Sequence, residues 1–211
     1  MQASSKQLYQ VPLHLIFHPF NGYWDLKYER NQKTTLMISL MIMVLLVFTK
    51  ILQAQYSGFL INFNNPKYLN SLLEMIYVVI PVLFWCIANW SLTTLMDGEG
   101  KFSEIFMSTC FALVPMFLVH FPWIWLSLVI SAQETAFYYF SNAIAVCWTV
   151  YLLFVGNMTV HQYTPAKTIL TMLLTLVAMA FMAFLCLLFF SLVQQIVSFV
   201  YTIYQELVLR G

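Results

Sequence analysis

Long apolar runs alternate with short polar interruptions along the chain, and run length is the first informative quantity. Residues 34–52, 72–95, a run opening near Ser103, residues 137–158 and residues 164–190 are almost free of charge. A helix needs about 20 such residues to cross roughly 30 Å of hydrocarbon. The pattern therefore predicts five membrane-spanning helices. Pro81 in the second run and Pro115 in the third predict kinks, because proline removes one ladder hydrogen bond and clashes with the preceding turn. His120-Phe121-Pro122-Trp123 predicts a further break near the far interface. Trp123, Trp125, Tyr138 and Tyr139 flank the loop at Gln133-Glu134 as an aromatic belt. Thr164-Pro165 predicts the start of the fifth helix, an N-cap followed by proline at the first helical position.

The polar ends of the chain carry patterns of their own. Residues 1–33 form an interfacial segment whose core, His18 to Arg30, predicts a turn and a short helix capped by Asn21. Tyr23, Trp24 and Tyr28 suit headgroup depth, and Lys27, Arg30 and Lys33 suit anionic lipid, so this helix is expected along the membrane surface. After the bundle of residues 34–190, Gln194, Gln195, Ser198, Thr202, Gln205, Glu206 and Arg210 recur at helical spacing. One straight helix from Thr164 to Leu209 would be roughly 65–70 Å long at 1.5 Å per residue. That is about twice the hydrocarbon thickness. A bend near Gln194 is expected, sending residues 191–211 into an amphipathic helix on the far surface or along the bundle.

The sharpest interruption lies between the second and third spans. Asp97-Gly98-Glu99-Gly100-Lys101 sets three charges and two glycines side by side in a chain that is 8% charged and holds six glycines. Gly98 is expected to end the second span in the left-handed conformation, with Gly100 allowing the reversal. Asp97 falls at a helix C-terminus, where the dipole disfavours negative charge, so a cationic or amide partner is expected, with Lys101, Lys167 and Arg30 the candidates. Glu99 and Glu104 fall at the start of the next span, where the dipole favours them. Two turns inside the tip, Asn89 is expected to hydrogen-bond another helix, and Trp90 to anchor at the interface.

Composition narrows the class. At 211 residues and 62% apolar, against roughly 45–50% for soluble domains, one membrane-embedded domain is expected. A net charge of +1 offers no basic footprint for nucleic acid. Cys86, Cys110, Cys147 and Cys186 fall in separate apolar runs, as packing residues rather than disulfides or metal ligands. The first apolar patch, from Leu8 to Phe20, is interrupted by polar residues and lacks a cleavage site, so the first span is expected to serve as the insertion signal. With the N-terminus inside, the inner segments hold Lys6, Lys27, Arg30, Lys33, Lys101 and Lys167, and the outer ones Lys50, Lys67 and Arg210. That asymmetry fits the positive-inside rule and places the C-terminus outside.

Two stretches together resemble the bacterial branch of the Yip (Ypt-interacting protein) membrane-domain family. One is His18-Pro19-Phe20 with Trp24-Asp25-Leu26-Lys27-Tyr28-Glu29; the other is Asn89-Trp90 with Thr93-Thr94-Leu95-Met96 and the acidic turn through Phe102. His161-Gln162-Tyr163 and the proline placement in the third span agree. The resemblance implies an all-α, five-span membrane domain with a cytoplasmic N-terminus. Eukaryotic relatives act in vesicle traffic and bind Rab-type GTPases. Their long hydrophilic N-terminal region has no counterpart in this sequence, so Rab-type binding is not expected. Some bacterial members associate with ABC transporters.

The inner face gathers His18, Asp25, Asp97, Glu99, Glu104, His161 and Lys167, residue types that metal binding or proton transfer would use. No His-Glu-x-x-His, Gly-x-Ser-x-Gly or P-loop spacing accompanies them. A charge network that ties the inner turns together is the expectation, overlapping a docking surface that also takes in Trp24, Asn89, Trp90, Gly98, Gly100 and Lys101. No catalytic residue, cofactor or metal is assigned. The mid-span stretches carry no Asp, Glu, Lys or Arg to line an ion path. The expected role is a non-enzymatic accessory or scaffold protein of the bacterial cytoplasmic membrane, bound to another membrane complex such as an ABC transporter. A permease-like homo-oligomer comes second, and a membrane enzyme third.

Overall fold

In a computed structural model, residues 11–62, 64 and 69–209 are described, and among them every regular element is helical. Residues 11–17 form α1, followed by α2 (Pro19–Tyr28), α3 (Gln32–Tyr56), α4 (Ser71–Leu95), α5 (Phe102–Ala112), α6 (Val114–Leu126), α7 (Thr135–His161) and α8 (Pro165–Leu209). Five helical stretches are long and apolar enough to cross a membrane: α3, α4, α5 with α6, α7 with the short 3-10 turn before it, and α8. These are the five spans expected from run length. Lys6, the turn at Asn65-Pro66 with Lys67, and Arg210 lie outside the described residues.

The third span is innermost and the fifth outermost, with 56% and 0% of their most apolar windows buried. One core cluster joins Leu15, Tyr23 and Leu26 to Ile38, Met107, Phe111 and Leu152. A second joins Met43, Trp85, Cys86, Ile105, Cys110 and Val160. The many exposed Leu, Val, Ile and Phe side chains on the outer faces suit a lipid surround, where apolar exposure carries no hydration penalty.

The structure bears out the bend expected from Pro115 and corrects four other expectations. The third span breaks at Leu113, where the Leu113 N–H is shared between the Thr109 and Cys110 carbonyls at 3.3 Å each and Pro115 sits in the first turn of α6. No second break occurs at His120–Trp123: α6 runs through Pro122 to Leu126, since a proline so near a helix end costs a single ladder bond. The cap of α2 is His18 with Pro19 in the first turn, so Asn21 lies inside the helix. Nor is α2 a purely interfacial helix: Gly22, Tyr23 and Leu26 are buried, with Tyr23 wedged against Gly156 of α7 and its hydroxyl donating to the Ser108 carbonyl of α5 at 3.4 Å. Burial raises the Tyr23 phenol pKa, so the ring stays a neutral wedge. Finally, α8 is one helix from Pro165 to Leu209, with no boundary near Gln194. No proline or glycine occurs between residues 166 and 209, so nothing interrupts its ladder.

A polar clasp between the two hairpin tips

Helix α4 ends and α7 ends on the same face, and both do so through a left-handed residue that is not glycine: Asp97 at φ 56° and Gln162 at φ 55°. Each reversal leaves orphan carbonyls at the end of its helix. Tyr163 serves α4, its hydroxyl lying 3.0 Å from the Met96 carbonyl and 3.3 Å from that of Thr93. Burial, helped by the Asp97 carboxylate, raises the Tyr163 phenol pKa and keeps that donor protonated. Lys27 of α2 serves α7, donating from Nζ to the Val160 carbonyl at 2.8 Å. A cation at a helix C-terminus also meets the negative end of the dipole. The Lys27 side chain is 8% exposed and also pairs with Glu99 at 3.6 Å. It does not face anionic lipid, as its sequence context suggested; α2 packs its ammonium onto the end of α7.

Between the tips runs a chain of hydrogen bonds with a single consistent direction. The Gly100 N–H donates to His161 Nδ1 at 3.3 Å. His161 Nε2 then lies 3.1 Å from Asn89 Oδ1, Asn89 Nδ2 donates to Thr175 Oγ1 at 3.3 Å, and that hydroxyl donates to the Thr171 carbonyl at 2.7 Å. Because Nδ1 accepts, Nε2 carries the proton, and that in turn fixes which way the Asn89 amide points. Asn89, His161 and Thr175 are at most 1% exposed. The chain links the α4–α5 turn, α7, α4 and α8, and its partners are neutral. This chain is built from amide, imidazole and hydroxyl groups, and of the charge network expected at this face the Lys27–Glu99 pair is present, tying α2 to the α4–α5 turn.

Gly98 and Gly100 are required here for a different reason from the one expected. Neither has positive φ; Asp97 takes the left-handed position instead. A Cβ on Gly98 would lie 2.7 Å from both His161 Nδ1 and the Tyr163 hydroxyl, and one on Gly100 would lie 2.6 Å from Val160 Cγ1 and 2.7 Å from His161 Cε1. The backbone of the turn packs close against the Nδ1–Cε1 edge of the imidazole, and only glycine allows that approach.

Asp97 is exposed, and among the described residues none of Lys101, Lys167 and Arg30 forms an ion pair with it. Lys167 instead sits over the Tyr163 ring at 4.3 Å. Asp97 thus combines a left-handed backbone with a charge against the helix dipole, both unfavourable. Asp97→Gly should therefore raise thermal stability in detergent, by about 0.5–1.5 kcal/mol. A lower melting temperature would mean that the carboxylate has a partner that outweighs both penalties.

The other candidates are not brought into the clasp. His18 stacks loosely on His14, and Asp25 lies 4.0 Å from the His14 imidazole. Trp24 is half-exposed and packs on Tyr28 at 4.5 Å. Trp90 meets Phe102 edge-on. Lys101 contributes its backbone N–H to Glu104, which caps the start of α5 and also accepts from Gln32. Lys27, Tyr163 and Thr175 belong to the clasp and were not singled out for it. The threonine stripe Thr168, Thr171, Thr175, buried at helical spacing on an otherwise exposed helix, was the available signal for the face of α8 that meets the bundle. Among the described residues no group of three His, Cys, Asp or Glu stands close enough to hold a metal ion.

Five apolar spans closed at one face by a polar, interhelical clasp define a multi-span helical membrane protein. Residues 13–188 match the family model described as Yip1 domain. That match covers most of the chain, which therefore belongs to the Yip1 domain family. No curated protein and no solved structure matches it.

Proposed function

We propose that this protein is a non-enzymatic accessory or scaffold subunit of a bacterial cytoplasmic membrane, with its N-terminus inside and its C-terminus outside, that binds an ABC transporter in the same bilayer. The observation that carries the reading is how the polar groups of the inner face are used. His161, Asn89, Lys27 and Tyr163 each satisfy another helix of this chain, so they hold the tips rigid and leave little capacity for a substrate. Around that rigid base the surface offers a shallow hollow of about 320 Å³. Phe20, Asn21 and Trp24 of α2 and Met158, Thr159, Gln162 and Tyr163 line it. Beside it stands the Glu99 carboxylate, whose side chain is 65% exposed. Aromatic anchors on a rigid platform are the usual centre of a protein interface. The transporter is named by analogy with bacterial relatives, and the basic residues of the inner segments support the orientation.

The test is affinity purification from native membranes in mild detergent. A transporter subunit should copurify in fixed ratio with the wild type, and Trp24→Ala should reduce its recovery at least five-fold while leaving the melting temperature unchanged. Repeated recovery of this chain alone would overturn the reading.

A further inference from the structure

Helix α8 outruns the bundle that it belongs to. Asn89 of α4 reaches Thr175 of α8, and an equal step along these two antiparallel helices brings Ser71, where α4 begins, opposite Val193. The remaining residues to Leu209 extend about 24 Å further at 1.5 Å per residue. Every residue from 184 to 209 is exposed, so among the described residues nothing buries the tail beyond the start of α4.

The tail also changes character where it leaves the bundle. Up to Phe190 it is apolar all round, as lipid demands. From Ser191 onwards it follows a seven-residue repeat, with Val193, Val200 and Leu207 at a positions and Ile196 and Ile203 at d positions. Ser191, Gln194, Gln195, Ser198, Thr202 and Gln205 fall on the opposite b, c and f positions. One side of this tail is made for water and the other for burial.

Two features decide what buries it. A helix lying on anionic lipid carries Lys or Arg on its polar face, yet Glu206 is the one charged residue between 168 and 209. Reaching the membrane surface would also require a turn off the axis of α8, which has no proline or glycine to make it. A second helix with the same repeat meets neither obstacle. Tails leaving identical bundles through the same face are parallel and already in register, so each a and d side chain meets its own counterpart.

We propose that the protein is a homo-oligomer of three or four copies held by a parallel coiled coil of α8 tails. Isoleucine at d disfavours a two-stranded coil and favours three or four strands. Apolar e and g positions such as Phe199 and Tyr204 broaden the seam in the same sense. The nine apolar side chains at a, d, e and g between residues 192 and 207 are 38–71% exposed. Together they offer on the order of 800–1,000 Å² per copy, against about 800 Å² per partner in a stable interface.

The inference is independent of the transporter reading, and the test uses the purified full chain in lipid vesicles, where no transporter is present. With exposed Cys147 and Cys186 replaced by serine, single cysteines are placed at Val200 or Ile203 on the seam, and at Ser198 or Gln205 on the water face, and oxidised. Cross-linking between copies should be at least five-fold higher at Val200 and Ile203. Photobleaching of singly labelled chains should count three or four copies, falling to one for Val200→Glu with Ile203→Glu. Because Val200 and Ile203 are both exposed within one copy, this double variant should still fold and span the membrane. Equal cross-linking at all four positions, or a single copy per particle, would overturn the proposal. So would quenching of a label at Ser198 by headgroup-depth nitroxide lipid, which would place the tail on the bilayer surface.

Discussion

Replacing His161 by alanine should lower the stability of the detergent-solubilised protein by about 2–4 kcal/mol. At this chain length that corresponds to a fall of roughly 5–15 °C in melting temperature. The imidazole is 1% exposed and ties the end of α7 to both the α4–α5 turn and Asn89 of α4. Its loss strands the half-buried Gly100 N–H on one side and the fully buried Asn89 side-chain oxygen on the other, the latter at the cost of an unpaired buried polar group. It also removes the ring stacked on Tyr163 at 5.3 Å, leaving a void under the tip. The effect exceeds the ~0.6 kcal/mol typical of one interhelical hydrogen bond in a membrane, because two partners and a packed ring are lost together. His161→Gln, which keeps a donor and an acceptor, should recover part of the loss. Asn89→Ala should cost about 1–2 kcal/mol, and the double variant clearly less than the sum, because both act on one bond. Thermal unfolding of these four variants beside the wild type decides it. Additive losses, or an unchanged melting temperature for His161→Ala, would remove His161 from the centre of the clasp.

How much of this could be read from the residues depends on the distance over which each signal acts. The five spans follow from run length, a local property, and both ends of α3, α4 and α7 and the start of α8 fall within a few residues of the apolar boundaries. Asn89 stood out because a buried amide in hydrocarbon must find a partner, and the partner it finds is on another helix, as expected. Gly98 and Gly100 were recognisable as special, but for the wrong cause. A glycine after a helix suggests a left-handed residue, whereas its real neighbour is an imidazole contributed from sixty residues away. Asp97 shows the converse, since charge at a helix end predicted an ion pair, while the backbone uses the residue for its tolerance of positive φ. Lys27 was read as facing lipid because nothing local says that α2 packs onto the end of α7. Its role depends on which helices become neighbours, and the single sequence does not encode that in any short window. The unbroken α8 could have been inferred, because its length argued for a bend and its lack of proline and glycine argued against one. The covalent chain decided.

The same dependence on neighbours sets the second large effect. Gly156→Val should cost about 3 kcal/mol or more and detach α2 from the bundle. A Cβ at Gly156 would collide with Ser108 Oγ and come to 3.0 Å from Cζ of the Tyr23 ring. Ser108 can rotate its hydroxyl away, so the first contact is soft. Tyr23 cannot move, because it is fully buried and packed in the core with Leu15, Leu26, Phe111 and Leu152. Valine's two methyl groups must therefore enter space that the ring fills, and the element with the fewest other attachments yields. That element is α2, which is short and meets the bundle mainly at α7. Its release should also withdraw Lys27 from the Val160 carbonyl, linking the Tyr23 wedge to the clasp. Limited proteolysis reads this directly, since the linker at Glu29–Asn31 should become cleavable in Gly156→Val and stay resistant in the wild type. The steric origin is tested by Tyr23→Leu, which should be mildly destabilising alone yet restore much of the lost stability when combined with Gly156→Val. A combined variant no more stable than Gly156→Val would show that the glycine serves the α5–α7 contact rather than the Tyr23 wedge.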